Sequence, residues 1–199
     1  MRDTAGAVSR EESEEKSQTV QPDNPLDRLH TDIESRVQSI RENRPDWLCA
    51  KGCSHCCRRL AEIPQLTAPE WDLLREGLTA FPPEQLHAIS RDVAALAHQP
   101  SRPVTCPLLD ETTNACRVYA QRPVACRTYG FYVQRDLGLY CHDIESRVDA
   151  GTLAEVVWGN HDAIDRRLAG LGQSRALTEW FDGWAIVRLI PPTPALPGQ

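Results

Sequence analysis

No stretch of this 199-residue chain stays apolar over the roughly 18 residues of a membrane span, and its longest run, Trp184 to Ile190, is broken by Arg188. Met1 to Arg10 holds no apolar segment of the roughly 7 to 15 residues that a secretory signal needs, and the chain turns acidic directly afterwards. Both absences lead to the expectation of a soluble, cytoplasmic protein with no membrane partner, in a compartment where thiols stay reduced. A basic surplus is missing too. With 22 Lys+Arg against 28 Asp+Glu and a formal net charge of -6, the chain has little with which to displace counterions, so nucleic acid is not an expected partner. There is no phosphate-binding glycine loop, no dinucleotide fingerprint, no Ser-His-Asp arrangement and no internal repeat. The enzyme classes that such motifs announce are thereby set aside.

What the chain does have is sulfur. Four of its 8 cysteines crowd into Cys49-Ala-Lys-Gly-Cys53-Ser-His-Cys56-Cys57, and Cys106, Cys116, Cys126 and Cys141 follow in the middle of the sequence. That layout suits two distant segments closing around one thiolate site. An even count also suits a disulfide framework, but a reducing compartment and the vicinal pair Cys56-Cys57 speak against it. Thiolates favour soft or borderline metals, and four of them satisfy tetrahedral zinc or the irons of a cluster. Cys53 and Cys56 show the two-residue gap of metal knuckles. All the cysteines together exceed what one mononuclear site uses, so either two centres exist or some thiols are accessory.

Arg58, Arg59, Arg122 and Arg127 adjoin the cysteines, and guanidinium groups offset the negative charge of a thiolate-metal site. The same arginines are equally compatible with plain surface positions. His55 and His142 lie within reach as alternative ligands, whereas His30, His87, His98 and His161 read as surface or helix-face residues. His161 with Asp162 and Asp165 is read as a solvated helix face.

Composition, 41% apolar and 25% charged, is that of an ordinary globular chain. Residues 1-22, with Glu11, Glu12, Glu14 and Glu15 and almost no large apolar side chain, are expected to be a disordered acidic tail, and 191-199 a proline-rich tail. Residues 24-190 are then one cysteine-cluster metal-binding domain, with its motifs in 49-141 and a helical part in 151-190. The expected fold class is mainly α with irregular, metal-stapled cysteine-rich loops and at most a small β-hairpin.

Pro25 opens a helix whose apolar face is Leu26, Leu29, Ile33, Val37 and Ile40, stopped by Pro45. Thr67 and Glu70 form a capping box for a helix bearing Trp71, Leu74 and Leu78 and ending near Gly77. A third helix is predicted from Pro83 to His98. Between Pro100 and His142 periodicity dissolves, a hairpin is expected around Asp110 to Asn114, and the cysteines are expected to replace the core. Metal binding and folding should be coupled there. Thr152 and Glu155 are read as the start of another helix, with Leu153, Val156, Val157, Ile164 and Leu168 on its buried face and Gly170 as its stop. Trp180 to Ile190 is helix or edge strand.

The strings Cys49-x3-Cys53-x2-Cys56-Cys57, Cys106-Pro107-Leu108-Leu109 and Cys116-Arg117-Val118-Tyr119-Ala120-Gln121-Arg122-Pro123-Val124-Ala125-Cys126-Arg127 closely resemble the YkgJ-type cysteine-cluster family, described as a zinc- or iron-chelating domain. The resemblance covers about residues 49 to 141. The family label reads Cys-x2-Cys-x2-Cys-Cys; here the first gap is three residues, so Cys49 departs from the pattern. The resemblance implies a metal ion as partner, with Cys49, Cys53, Cys56, Cys57, Cys106, Cys116, Cys126 and Cys141 as the expected ligands, and charge compensation places Arg58, Arg122 and Arg127 beside the cofactor. It tilts the choice between an iron-sulfur cluster and zinc slightly toward the cluster. Members are often labelled iron-sulfur oxidoreductases, and the module also resembles part of flagellin lysine N-methylases, although no further methyl-transfer domain is evident here. A metal-binding protein without turnover and an oxidoreductase or methyl-transfer-associated enzyme therefore both stay open.

Overall fold

The computed structural model describes residues 24-135 and 137-184; the acidic stretch 1-22, residues 185-190 and the proline-rich end 191-199 lie outside them. Helices dominate, joined by irregular cysteine-rich loops and three small sheets.

Helix α1 (Pro25–Asn43) begins where Asn24 Oδ1 accepts the Leu26 N–H at 2.9 Å, and each residue of the apolar face predicted for it is buried. A loop carrying the first cysteines leads to the single turn α2 (His55–Arg58). Beyond it the chain forms an antiparallel bridge between Leu60 and Val104, with N···O distances of 2.9 and 3.0 Å. That bridge lays the two cysteine-bearing segments side by side.

The excursion between them is β1 (Gln65–Leu66), α3 (Ala68–Thr79) and α4 (Pro83–Leu96). Helix α3 does not end at Gly77 but passes through it. A Cβ there would come within 2.9 Å of Gln121 Oε1 and 3.1 Å of Val118 Cγ1, so this glycine serves close packing. Strands β2 (Leu109–Asp110) and β3 (Ala115–Cys116) form the expected hairpin, with Asp110 Oδ1 accepting Thr112 N–H and Asn114 at φ +53° in the turn. A 3-10 turn at Tyr119–Gln121 precedes the short helix α5 (Val124–Thr128).

Strand β4 (Tyr132–Gln134) pairs antiparallel with β5 (Leu137–Leu139) and parallel with β6 (Gly159–Asn160). Helix α6 (His142–Asp149) lies between β5 and β6. The helix expected from Thr152 does not form there. Thr152 Oγ1 donates to Arg147 O at 2.9 Å and closes the end of α6, and the β-branched pair Val156-Val157 leads into β6, with Val157 67% exposed. Helix α7 (His161–Ala169) starts only at Asn160, whose Oδ1 accepts Ala163 N–H, and stops at Gly170 as expected. The chain returns through β7 (Arg175–Ala176), antiparallel to β1, into α8 (Leu177–Gly183), so the Trp180 region is helical as far as it is described.

Two apolar cores result. One gathers the α1 face with Trp47, Val124, Phe131, Tyr132, Ile144, Leu153 and Ile164. The other joins α3, α4 and α8 through Leu74, Leu78, Ile89, Val93, Leu177 and Phe181, and takes in Leu108 and Val118. The stretch from Pro100 to His142 thus supplies apolar residues to both, which corrects the expectation that cysteines stand in for a core there.

Candidate metal centre

The cysteine-bearing loops are held by the backbone. Cys53 N–H bonds Ala50 O at 3.0 Å in a tight turn, and Cys106 N–H bonds Cys57 O at 2.6 Å, so the knot and the second segment are in direct contact. Cys116 ends β3 and Cys126 lies in α5. Glu70 fixes the start of α5. Its Oε2 accepts Thr67 N–H and Oγ1–H at 2.9 and 2.8 Å, and its Oε1 accepts Val124 N–H at 3.0 Å, all buried. One carboxylate therefore caps α3 and positions the helix that presents Cys126.

Every cysteine but Cys141 lines one cavity of about 70 Å³ between the two cores. A single water-sized probe occupies roughly 10–15 Å³, so the space exceeds that of one water. Leu66, Leu74, Leu108, Leu177 and Phe131 make the apolar part of the wall, and Arg41 and Arg122 bring positive charge to it. All eight sulfurs are unpaired thiols, and Cys56 and Cys57 Sγ are 4.0 Å apart.

Cys49, Cys56, Cys106, Cys116 and Cys126 resist ionisation. Burial, then the neighbouring Cys53 and Cys56, pushes Cys49 up to about 12, with Arg41 opposing. Burial likewise lifts Cys106 to about 12 and raises Cys116. Cys56 is raised first by its hydrogen bond with Cys57 and then by burial. Cys126 is raised by burial and then by Cys106, Cys116 and Cys56. So many soft donors converging on one space is the donor chemistry of a thiophilic cation. The residues present fit zinc or iron.

The arginines divide by role. Arg122 stacks 3.8 Å over the Tyr119 ring, donates to Tyr119 O, and its charge opposes the rise at Cys116 and Cys126. Arg127 does not line the cavity; it donates to Arg122 O and Ala120 O and holds the turn before α5. Arg58 bonds Ser54 Oγ and Asn114 Oδ1 and pairs with Glu111, joining the knot to the β2–β3 hairpin instead of facing the sulfurs. Arg41, unmarked by any motif, donates to Cys49 O at 3.1 Å and lies over Phe131. Gly130 was also unmarked. At φ +87° its missing side chain leaves room for Cys49, since a Cβ would lie 2.9 Å from that sulfur.

Among the histidines, His55 Nδ1 is 3.0 Å from Asp143 and His142, 85% exposed, pairs with Glu145 at 3.5 Å. His161 is not on a solvated face: 14% exposed, it packs edge-on to Tyr132 with Nδ1 3.2 Å from Asp165. His30 keeps a buried Nε2 without a hydrogen-bond partner among the described residues, and burial, then Arg127 and Arg122, lowers its pKa to about 4.

The model of the CxxCxxCC family, described as a "putative zinc- or iron-chelating domain", matches residues 48–148, half of the chain and all of its cysteines. The chain belongs to the CxxCxxCC family. No curated protein and no solved structure matches it. The CxxCxxCC domain supports zinc or iron as its partner, and the cavity is where this chain's thiols converge. Among the described residues no helix is long and apolar enough to cross a membrane.

Proposed function

We propose that residues 24–190 form one cytoplasmic cysteine-cluster domain that holds iron or zinc in the thiol-lined cavity, with an iron-sulfur centre favoured over a single zinc ion. The observation that carries this is the convergence of every cysteine but Cys141 on one space, which is more sulfur than the roughly four donors of a closed tetrahedral site. Cys49, Cys53, Cys56, Cys57, Cys106, Cys116 and Cys126 would hold the group, and Arg41 and Arg122 would offset its charge. An iron-sulfur centre supplies one-electron transfer when bound; zinc supplies structural closure. Unpaired thiols throughout are the form kept in a reducing compartment.

A second reading, an iron-sulfur or metal-dependent oxidoreductase or a methyl-transfer-associated enzyme, draws on the apolar wall beside the thiols, which leaves space that a fully closed structural site does not have. Anaerobic purification with elemental analysis and an absorption spectrum tests both. Iron with labile sulfide and visible absorption is the expected result. A colourless, zinc-loaded protein transfers the reading to zinc, and a protein that takes up neither metal refutes it.

A further inference from the structure

Among the eight cysteines, Cys141 alone does not line the cavity. It caps the start of α6, half-buried, and two other donors meet it there. His55, the first residue of α2, places Nδ1 3.0 Å from Asp143 Oδ2, and one donor atom from each of His55, Cys141 and Asp143 lies within 4.8 Å of the other two. The side chains of His55 and Asp143 are 46% and 54% exposed, so solvent reaches the group.

We propose that His55, Cys141 and Asp143 form a second metal site, separate from the cavity, that takes a borderline divalent ion of the zinc type with a coordination position left to water. An imidazole, a thiolate and a carboxylate are the three donor types zinc accepts, and three protein ligands plus solvent is the open form of such a site. Magnesium and calcium select oxygen donors and have no use for the imidazole or the thiol. Cys141 and Asp143 are neighbours at the start of α6, and the observation beyond that local proximity is that the His55 imidazole meets both, so that all three donor atoms fall within 4.8 Å of one another. The donors come from two segments far apart in the chain, His55 from the knot and Cys141 with Asp143 from the start of α6, brought together by the packing of the knot against α6, and both acidic side chains of the first turn of α6, Asp143 and Glu145, add negative potential. His55 sits between Cys53 and Cys56 in sequence, so the second site adjoins the first without sharing a residue with it. The inference does not depend on what fills the cavity.

Zinc titration of the full chain, reduced and freed of metal, followed by calorimetry and elemental analysis after desalting, tests it. His55→Gln and Asp143→Asn should each retain about one zinc fewer per chain than the unsubstituted protein, while Cys126→Ser keeps the ion that these two lose. Equal zinc content in the unsubstituted protein, His55→Gln and Asp143→Asn overturns the proposal. A second measurement needs no substitution: the imidazole nitrogen resonances of His55 should shift on zinc saturation, and unmoved resonances overturn it as well. If the cavity takes no metal while a His55-dependent ion persists, this inference stands and the reading of the cavity fails.

Discussion

Single side chains around the cavity separate into those that face sulfur and those that hold the chain in place. Arg122 does both, since its guanidinium stacks on Tyr119 and bears on Cys116 and Cys126. Arg122→Gln is expected to weaken metal affinity by about 10- to 100-fold, the usual cost of removing an outer partner of a metal site, as read by competition with a chromophoric chelator. His30 has a different consequence. Its pKa falls from 6.5 to about 4, so the unfolded chain takes up a proton before the folded one does. The stability it contributes is present above pH 6.5 and is lost as pH falls toward 4. After allowance for solvent screening this amounts to about 1 kcal/mol. Urea unfolding at neutral pH and near pH 4 should show a smaller loss in His30→Gln than in the unsubstituted protein; equal losses would contradict the assignment.

Short elements do most of the positioning, and Glu70 shows how. Its two oxygens accept three hydrogen bonds, from the start of α3 and the start of α5. In Glu70→Gln an amide group must face an N–H or O–H donor, leaving buried donors unsatisfied. A loss of about 1–3 kcal/mol is expected, with reduced metal retention because α5 carries Cys126. Thermal unfolding and metal analysis check the two parts separately. The first half of this bond pattern was legible in the sequence, because Thr67 and Glu70 are three residues apart and make a local motif. The second half was not, since Val124 is 54 positions away and its N–H carries no side-chain signal. Arg41 and Gly130 were illegible for the same reason: each meets Cys49 only after the chain has folded. The long helices were legible from their apolar spacing, whereas α6 has a single buried residue, Ile144, too little for a periodic stripe. Thr152 misled because a hydroxyl that can open a helix can equally close the previous one.

The cavity lies between two apolar cores, with Phe131 and Cys49 on one side and Leu66, Leu74 and Leu177 on the other. Convergence of the cysteines was anticipated from their chemistry; a separately packed pair of cores was not, because α8 returns from the far end of the chain to complete the second one. Metal removal by a chelator under reducing conditions is therefore expected to leave helical circular dichroism largely intact. Hydrogen exchange should accelerate in residues 104–126 and much less in α1, α3 and α4. Uniform loss of protection would mean that the metal supports both cores and not the seam.

The five tryptophans follow the same division. Trp47 and Trp158 meet at a tilt in the first core, and Trp71, Trp180 and Trp184 cluster in the second. The Trp47 indole donates to the carbonyl oxygen of Gly130, the residue whose missing Cβ leaves room for Cys49. One indole thus reads the thiols at a single remove while three others stand in the opposite half, and comparing emission from Trp47→Phe with that of the parent would tell which half senses an arriving ion.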